Sequence, residues 1–568
     1  MPAAVTRHTR IAERISPDFL PSTPEPHVTV LQWLTALMPI LAAAVLLVGL
    51  RMPASRAMPL ALVVTVVLTL VVWQVPGRIV TASIVEGLVI GGGVLFIVVG
   101  ALALLEVMRT SGGLDAIRVE FQRVSHDSRV QMLLIAWLFV SFIEGAAGFG
   151  TPAPVAAPLL IALGFPALGA AALALIGDSS AVTFGAVGTP MIVGIGQGLG
   201  LDPTADETQQ TLLEIALITA GIDIVVGLSI PIALLLLLTR VFARVKTPGA
   251  AREALPLTIF AALAYSVPAF LWTLLLGGVE FGAILGGITG LVLTVAAVKR
   301  GFLVPPRTWT VKYGYLDTDG ADAPETGVRT MPVWQVWAPY MLLILLLLIS
   351  RLVEPLREGL QSVSLEAGDI LGTGISASWE PLYSPGAIFL VVALATVLLH
   401  KVPLADLRST AGRTSTAVVG TAVTLAASVP LVRVFLNSGD NASGLEAMPV
   451  ELATAGALAL GTFWPLFAPV VGALGSFVSG SATFSHLMFA QLQSDVAEGI
   501  GAAPSVVLAQ QVGGANAGNM VCVANVVAVA GVTGQLGKEG AIISRTVLPM
   551  LVYVTGFAVM GFAIVRLF

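Results

Sequence analysis

Two carboxylates stand inside strongly apolar stretches of this sequence. Glu144 lies in "FIEGAAGFGTPAP" (142–154) and Asp178 in "GDSSAVTFG" (177–185). A carboxylate in hydrocarbon is energetically costly, so such residues mark substrate, ion or proton pathways. We predict that Glu144 and Asp178 couple proton binding to function. The alternative is that they are structural carboxylates bonded to freed backbone N–H groups.

The glycines and prolines around Glu144 predict a break in a membrane helix. Backbone at membrane depth must line a cavity or be buried in protein if it is not helical. A broken helix exposes N–H groups at a half-helix end, which accepts anions well. We therefore predict Gly145, Gly148, Gly150 and Thr151 as substrate-binding residues. The alternative is close helix packing through small residues.

A second polar, glycine-containing break is predicted at "FVSGSATFSH" (477–486). Its predicted substrate contacts are Ser481, Thr483, Ser485 and His486. The His486 imidazole can meet a carboxylate or relay a proton, although a lone histidine is also often just a hydrogen-bonded group. The other predicted contacts are Ser179, Ser180 and Asn516. Further neutral polar groups near the breaks are Ser141, Thr183, Ser479, Asn519 and Asn525. This set suits a small hydroxylated anion better than a hydrophobic drug.

Four more ionisable residues fall within apolar runs. Glu86, Glu214 and Asp223 are interpreted as packing or interfacial groups. Arg433 lies near the end of its run and is expected to extend its charge to the membrane surface.

The composition defines the setting of these residues. The chain has 568 residues, of which 56% are hydrophobic and 11% charged, whereas soluble proteins carry about 25% charged residues. We therefore predict a membrane-embedded protein whose partners include the lipid bilayer. The single cysteine, Cys522, excludes a disulfide framework and a multi-cysteine metal site, and the net charge of −5 gives no sign of nucleic-acid binding.

The apolar runs predict the fold class. A span needs roughly 20 apolar residues, and the runs predict an all-α polytopic membrane protein of about 12–14 transmembrane segments. We expect two inverted-repeat halves with interrupted helices or re-entrant hairpins. The predicted domains are a polar N-terminal tail (1–27), a first membrane half (28–298), a cytoplasmic linker loop (299–332) and a second membrane half (333–568). Lys and Arg concentrate in alternate loops, including 299–331, which places those loops in the cytoplasm.

An internal repeat supports the two halves. Shifted by 335 positions, "FIEGAAGFGT" lies over "FVSGSATFSH", and two phenylalanines and a glycine coincide. "GDSSAVTFGAVGTP" (177–190) then corresponds to "GGANAGNMVCVANV" (513–526), and "GQGLG" (196–200) to "GQLG" (534–537). Interrupted segments in corresponding places of two halves indicate the binding site of a secondary transporter.

Motifs of other chemistry are missing from the sequence. There is no H-E-x-x-H, no G-x-x-x-x-G-K-[ST] and no G-x-S-x-G. We therefore expect a protein that is not an enzyme and uses no cofactor or metal.

The stretches "FIEGAAGFGTPAP", "ALGFPALGAAALALIGDSSAVTFGAVGTP" and "GGANAGNM…NVVAVAGVTGQLGKEG" resemble the bacterial L-lactate permease family, and the resemblance runs from about residue 30 to the end. It implies a multi-pass carrier of the bacterial inner membrane that takes up lactate, and related 2-hydroxymonocarboxylates such as glycolate, with a proton. Glu144, Gly145, Gly148 and Gly150 fall on the family's E-G-A-A-G-F-G motif.

The chain departs from this family pattern at two places. Ala482 and His486 stand where relatives usually have Asn or Asp followed by Asn, and Asp178 stands where asparagine is common. These departures bear on the substrate and on which group carries the proton. The alternatives that the sequence leaves open are a sodium-coupled carrier of another small organic anion, a passive anion channel and a membrane-embedded enzyme.

Overall fold

The computed structural model describes residues 29–43, 45–46, 50, 52–113, 116, 123–148, 150–196, 198–199, 201, 206–315 and 331–567. The predicted N-terminal tail lies outside these residues. Within them, eight helices are long and apolar enough to cross a membrane, or nine if one bent pair counts as a span, and six shorter helices are also apolar. The all-α membrane fold is confirmed, and the predicted total of about 12–14 spans depends on which shorter helices cross.

Long apolar runs form the helices of the first half. The α-helices are α1 (Val30–Ala43), α2 (Ala54–Val71), α3 (Gly77–Thr110), α4 (Ser128–Met132), α5 (Val140–Ala147), α6 (Pro152–Ala162), α7 (Ala167–Gly177), α8 (Asp206–Val226), α9 (Ser229–Leu236), α10 (Ala250–Leu276) and α11 (Gly282–Lys299). π-helical or 3-10 segments occupy Leu133–Phe139, Ser180–Phe184, Pro190–Gly196 and Leu237–Phe242.

The second half follows two short hairpins and the same kind of apolar runs. Its α-helices are α12 (Val333–Leu352), α13 (Glu354–Gln361), α14 (Pro385–His400), α15 (Leu404–Leu436), α16 (Met448–Leu460), α17 (Trp464–Ser479), α18 (Ala482–Gly499), α19 (Pro504–Asn519), α20 (Val523–Thr533) and α21 (Glu539–Leu567). The strands are β1 (Trp309–Thr310), β2 (Gly314–Tyr315), β3 (Leu365–Ala367) and β4 (Ala377–Trp379), and 3-10 turns occupy Ile370–Gly372 and Gly461–Phe463. β1 pairs with β2 and β3 with β4, both antiparallel.

The same succession of elements occurs in both halves. In the first, a helix, a break and a helix (α5, α6) precede a second interrupted pair and then α8. In the second, α17 and α18 flank a break, α19 and α20 flank another, and α21 follows. The interrupted segments of the two halves pack across one another, with α18 against Pro190–Gly196 and α20 against α6 and α7. The prediction of two halves with interrupted helices is therefore confirmed.

These interrupted segments form the centre of the molecule. The span Ser128–Ala146 is 100% buried and Pro504–Thr533 is 94% buried, whereas Ala250–Leu276 is 39% buried. The central segments are thus shielded from lipid by other helices. Their many small residues suit them to this place, because small side chains let membrane helices approach closely.

Long helices of the two halves form a frame beside this centre. α3 has 34 residues and α15 has 33, and these two helices pack along each other. α2 of the first half packs against α15, while α14 of the second half packs against α3. The frame therefore consists of helices from both halves, α2 and α3 from the first and α14 and α15 from the second.

A buried ion pair joins these two long helices. Arg433 Nη2 of α15 donates a hydrogen bond to Glu86 Oε1 of α3, and Asn437 Nδ2 donates to Glu86 Oε2 at 2.7 Å. The Arg433 guanidinium thus pairs with a carboxylate on the neighbouring helix, and its extension to the membrane surface stays a prediction. Its ring contact, at 5.1 Å from the guanidinium carbon to the ring centre, is with Phe484 beside the second break.

The described part of the 299–332 linker is anchored to the first half. Trp309 is fully buried, and its backbone N–H donates to Asp127 Oδ2 at 3.1 Å. The buried guanidinium of Arg129 pairs with Asp127 at 2.6 Å and donates to the backbone carbonyl of Arg307 at 2.6 Å. The β1–β2 hairpin therefore packs against the N-terminal end of the helix that begins at residue 128.

Candidate functional site

The first break positions Glu144 one turn before the end of α5. Gly148 ends this helix with φ 56° and ψ −151°, a conformation essentially restricted to glycine, and its N–H donates to the Glu144 carbonyl at 2.9 Å. Thr151 Oγ1 donates to the Gly148 carbonyl at 2.9 Å. Pro152 then begins α6 at the first helical position, where a missing N–H costs nothing.

The second break of the first half contains an unusual run of left-handed backbone. α7 ends at Gly177, just before Asp178, a 3-10 turn covers Ser180–Phe184, and Ala186, Val187 and Gly188 then have φ values of 44°, 56° and 77°. A β-branched residue such as Val187 is a genuine outlier there. Strain of this kind persists only where the surroundings impose it, and it concentrates at functional sites.

The breaks of both halves meet at one cavity. In the second half, Gly480 (φ 80°) ends α17, and α18 begins after Ser481. The volume open to the centre of a water-sized molecule is about 30 Å³, so in this conformation the cavity is small. It is lined by Glu144, Gly148, Gly150, Val182, Gly185, Ala186, Thr189, Pro190, Gly480, Ser481, Ala482, Thr483 and Asn519.

Glu144 and Asp178 form a buried carboxyl pair at this cavity. They are 3% and 1% exposed, and their carboxyl groups interact directly. Asn519 Nδ2 donates a long hydrogen bond of 3.4 Å to Asp178 Oδ2. Glu144 Oε2 and Asp178 Oδ1 accept no hydrogen bond from a donor among the described residues.

None of the ion pairs found in the described part of the chain includes Glu144 or Asp178. Among those residues, therefore, no basic side chain neutralises the pair. Two adjacent buried carboxyls repel each other when both are ionised, so one of them favours the protonated form. The arrangement can therefore take up and release a proton beside the cavity. The described residues contain no cluster of three His, Cys, Asp or Glu that could hold a metal ion.

Glycines let the backbone approach these groups closely. A Cβ on Gly185 would collide with Glu144 Oε1, so the absence of a side chain gives the carboxylate its place. Gly145 has a different task, since a Cβ there would lie 2.6 Å from the backbone nitrogen of Ile284 in α11. Gly145 thus serves helix packing, while Gly148 and Gly150 line the cavity.

Of the predicted site residues, the structure brings Glu144, Gly148, Gly150, Ser481 and Thr483 to the cavity wall. Other predicted first-half residues are engaged beside it. The hydroxyls of Thr151 and Ser179 donate to backbone carbonyls three residues earlier, at 2.9 and 2.6 Å. The Ser180 hydroxyl donates to the carboxylate of Asp223.

The remaining second-half predictions lie behind the wall. Ser485 Oγ donates to a backbone carbonyl at 2.9 Å, and Asn516 Nδ2 donates to Thr183 Oγ1 at 2.7 Å. His486 is fully buried, and neither ring nitrogen has a hydrogen-bond partner among the described residues. It packs against Gly194, where a Cβ would lie 3.0 Å from the His486 Cβ.

The sequence prediction missed part of the cavity wall. Gly185, Ala186 and Thr189 line it, and so does Asn519, which had been noted only as a polar neighbour of the break. A signal for the first three was available, because the tripeptide Gly-Thr-Pro at 150–152 recurs at 188–190. Both copies end a break and start a helical segment with proline.

Paired helix breaks from two halves, meeting at a polar cavity inside a helical membrane protein, are typical of transporters. Comparison with known proteins makes this class specific. The model of the L-lactate permease family matches residues 32–568, and the chain belongs to that family. It is therefore a multi-pass membrane permease, a transporter rather than an enzyme, for which the family implies a small organic anion as substrate.

Several named relatives are similar over most of their length. A Haemophilus influenzae protein with a provisional L-lactate permease name is 30% identical over 84% of this chain and 87% of its own. The L-lactate permease of Halalkalibacterium halodurans is 27% identical over 92% and 94%. The glycolate permease of Escherichia coli is 25% identical over 92% and 93%.

Among solved structures, the YdaH transporter of Alcanivorax borkumensis, described as having an unusual topology, aligns with 95% of this chain and 99% of its own at 18% identity and a TM-score of 0.27.

Proposed function

We propose that this protein imports lactate, and related small 2-hydroxymonocarboxylates such as glycolate, by proton symport across the bacterial plasma membrane. The substrate class follows from relatives named for L-lactate and glycolate. The coupling ion rests on one observation, the buried Glu144–Asp178 carboxyl pair that lies at the cavity without a described cation.

Proton binding precedes substrate binding in this proposal. A pair that keeps one negative charge repels a carboxylate, and a further proton that neutralises both carboxyl groups removes this repulsion, so the proton makes the cavity acceptable to the anion. With one proton for each monoanion, the loaded site gains no net charge. The loaded carrier therefore changes access with the same net charge at the site as the empty carrier, and loading adds no further cost of buried charge.

The groups around the cavity suit a short hydroxy acid. α18 begins at Ala482, and its first N–H groups form a partly positive helix end that accepts a carboxylate. The Thr483 and Thr189 hydroxyls and the Asn519 amide line the same space and supply hydrogen bonds for the 2-hydroxyl group. Ser481, where α17 and α18 meet, completes the polar side. Asp178, which Asn519 contacts, lies beside Glu144.

Each half contributes one set of helix breaks to alternating access. The cavity lies where first-half and second-half breaks meet, and the domain limits 28–298 and 333–568 assign one set of breaks to each half. Rocking of these segments against each other opens the cavity to one side at a time. The 299–332 linker, which we assign to the cytoplasm, connects the halves.

The decisive experiment is labelled L-lactate uptake in proteoliposomes under an inward proton gradient. The proposal expects uphill accumulation that a protonophore abolishes and that Glu144→Gln lowers by at least tenfold. The matched control is Glu214→Gln, the same change at an exposed carboxylate of α8.

Other results have equally definite meanings. Accumulation driven by sodium and insensitive to pH would make the protein a sodium-coupled carrier, and current without accumulation would make it an anion channel. Accumulation that survives Glu144→Gln would show that the proton is bound elsewhere.

A further inference from the structure

A second buried carboxyl lies near the cavity and has no part in the proposal above. Asp223 of α8 is 7% exposed. Tyr553 OH donates to its Oδ1 at 2.5 Å, and the Ser180 hydroxyl donates to its Oδ2. Both carboxylate oxygens are thus held by hydroxyl groups from other elements.

These contacts close a ring of polar groups. The Asn516 amide interacts with the Tyr553 hydroxyl and donates to Thr183 Oγ1 at 2.7 Å. Ser180 and Thr183 both belong to the 3-10 turn Ser180–Phe184, so the ring begins and ends on one turn. That turn follows directly on Asp178, and Asn519, which contacts Asp178, lies one helical turn after Asn516 on α19.

The titratable groups that face Asp223 are few. α8 packs against α9, α10, α19, α21, the 3-10 turn and Pro190–Gly196. From these elements the phenols of Tyr553 and Tyr265 face the carboxyl, and Tyr265 also interacts electrostatically with Glu144 and Asp178.

The charged residues of the surrounding helices lie far from Asp223. The basic ones, Arg252, Arg545 and Arg566, stand eight or more residues from Tyr265 or Tyr553 along their helices, which is about 12 Å or more at about 1.5 Å per residue. The acidic ones, Glu253 and Glu539, lie in first helical turns. The carboxyl is thus stabilised by hydroxyl dipoles rather than by a cation.

We propose that Asp223 is a second proton-binding group of the carrier, separate from the Glu144–Asp178 pair, and that Tyr553 and Ser180 position it. This inference rests on the proposed proton-coupled transport. An ionised carboxylate only accepts hydrogen bonds, whereas a protonated one donates through its O–H. Protonation of Asp223 therefore reverses one hydrogen bond of the ring and changes how the turn beside Asp178 is held.

The test separates proton coupling from substrate binding. Lactate exchange at equal pH needs no net proton movement, whereas accumulation under a pH gradient does. We expect Asp223→Asn to keep exchange within about twofold of the unmodified protein and to lower accumulation at least tenfold. The matched control is Asp495→Asn, which alters another buried aspartate, 8% exposed, and is expected to change neither.

Tyr553→Phe provides a finer test because it removes one hydroxyl and keeps the ring that packs on Phe557. Loss of a donor to the ionised carboxylate favours its protonated form. The pH of half-maximal accumulation should therefore rise, by about half a unit to one unit for one hydrogen bond of about 1 kcal/mol. Tyr340→Phe, at a buried tyrosine of α12, is the control.

The inference is overturned if Asp223→Asn leaves accumulation unchanged and Tyr553→Phe leaves its pH profile unchanged. If Glu144→Gln loses accumulation in the same assay, the proposed function still holds. If the unmodified protein accumulates no lactate, infrared difference spectra between acidic and alkaline buffer decide instead. A protonated-carboxyl band that disappears in Asp223→Asn supports the site, and identical spectra refute it.

Discussion

Replacing Gly185 by alanine tests the cavity geometry directly. Gly185 has φ −62° and ψ 151°, a backbone conformation that alanine adopts without strain. The added Cβ would collide with Glu144 Oε1 and lie 3.2 Å from Glu144 Cδ. The carboxyl group must therefore move away from its place beside Asp178, while the rest of the backbone stays as it is.

The size of the effect follows from overpacking. Adding a methyl group to a filled site typically costs about 1–3 kcal/mol, and every 1.4 kcal/mol corresponds to about tenfold. If displacing the carboxyl group raises the free-energy barrier of the transport step by this amount, proton-driven lactate uptake should fall roughly 5-fold to 150-fold.

The assay is initial uptake in proteoliposomes at matched protein content. Gly92→Ala is the control, because Gly92 of α3 has no atom within 4 Å of an added Cβ. Glu144→Asp in the Gly185→Ala background shortens the colliding side chain by one methylene and should restore part of the loss. Uptake in Gly185→Ala equal to that of the unmodified protein would refute the proposed place of Glu144 in the cavity.

Two further predictions concern stability. Glu86→Leu leaves the Arg433 guanidinium buried and unpaired, which should lower the free energy of unfolding by about 3–5 kcal/mol, and adding Arg433→Met should recover most of it. Thermal melting in detergent measures both, and equal melting of the single and double variants would contradict the buried pair. Trp309→Ala removes a fully buried side chain and should cost about 3–5 kcal/mol within the hairpin, so that protease cleaves the 299–332 linker faster. Tyr313→Ala, at a side chain 59% exposed, is the control, and equal cleavage rates would argue against the anchor.

The sequence predicts the helix breaks and both carboxylates of the site well. Glycine, proline and a glutamate inside an apolar run are local signals, because each is costly in a membrane helix unless the segment is interrupted. Glu144, Gly148 and Gly150 carry those signals and lie at the cavity. Proton coupling by Glu144 and Asp178, and substrate binding by the other predicted residues, stay predictions.

Pairs formed across the chain leave no such signal. Arg433 and Glu86 are 347 residues apart, and Tyr553 and Asp223 are 330 apart. Each residue by itself fits a surface or packing role, and only the crossing of helices from the two halves brings the partners together. His486 is the opposite case. Its residue type and its place beside the second break predicted that it would line the cavity, but at the start of α18 its ring packs toward Pro190–Gly196.

The exchange of frame helices between the halves has a consequence for biosynthesis. Glu86 enters the membrane long before its partner, since 347 residues separate it from Arg433. At about 5–20 residues per second, the ribosome needs roughly 17–70 s to make that stretch. During this interval the nascent first half carries an unmatched carboxylate on α3 and lacks α14 and α15, the helices that cover it. We therefore expect α3 to stay without its partners until the second half is inserted, and a first half truncated near the linker to be degraded faster than the full chain.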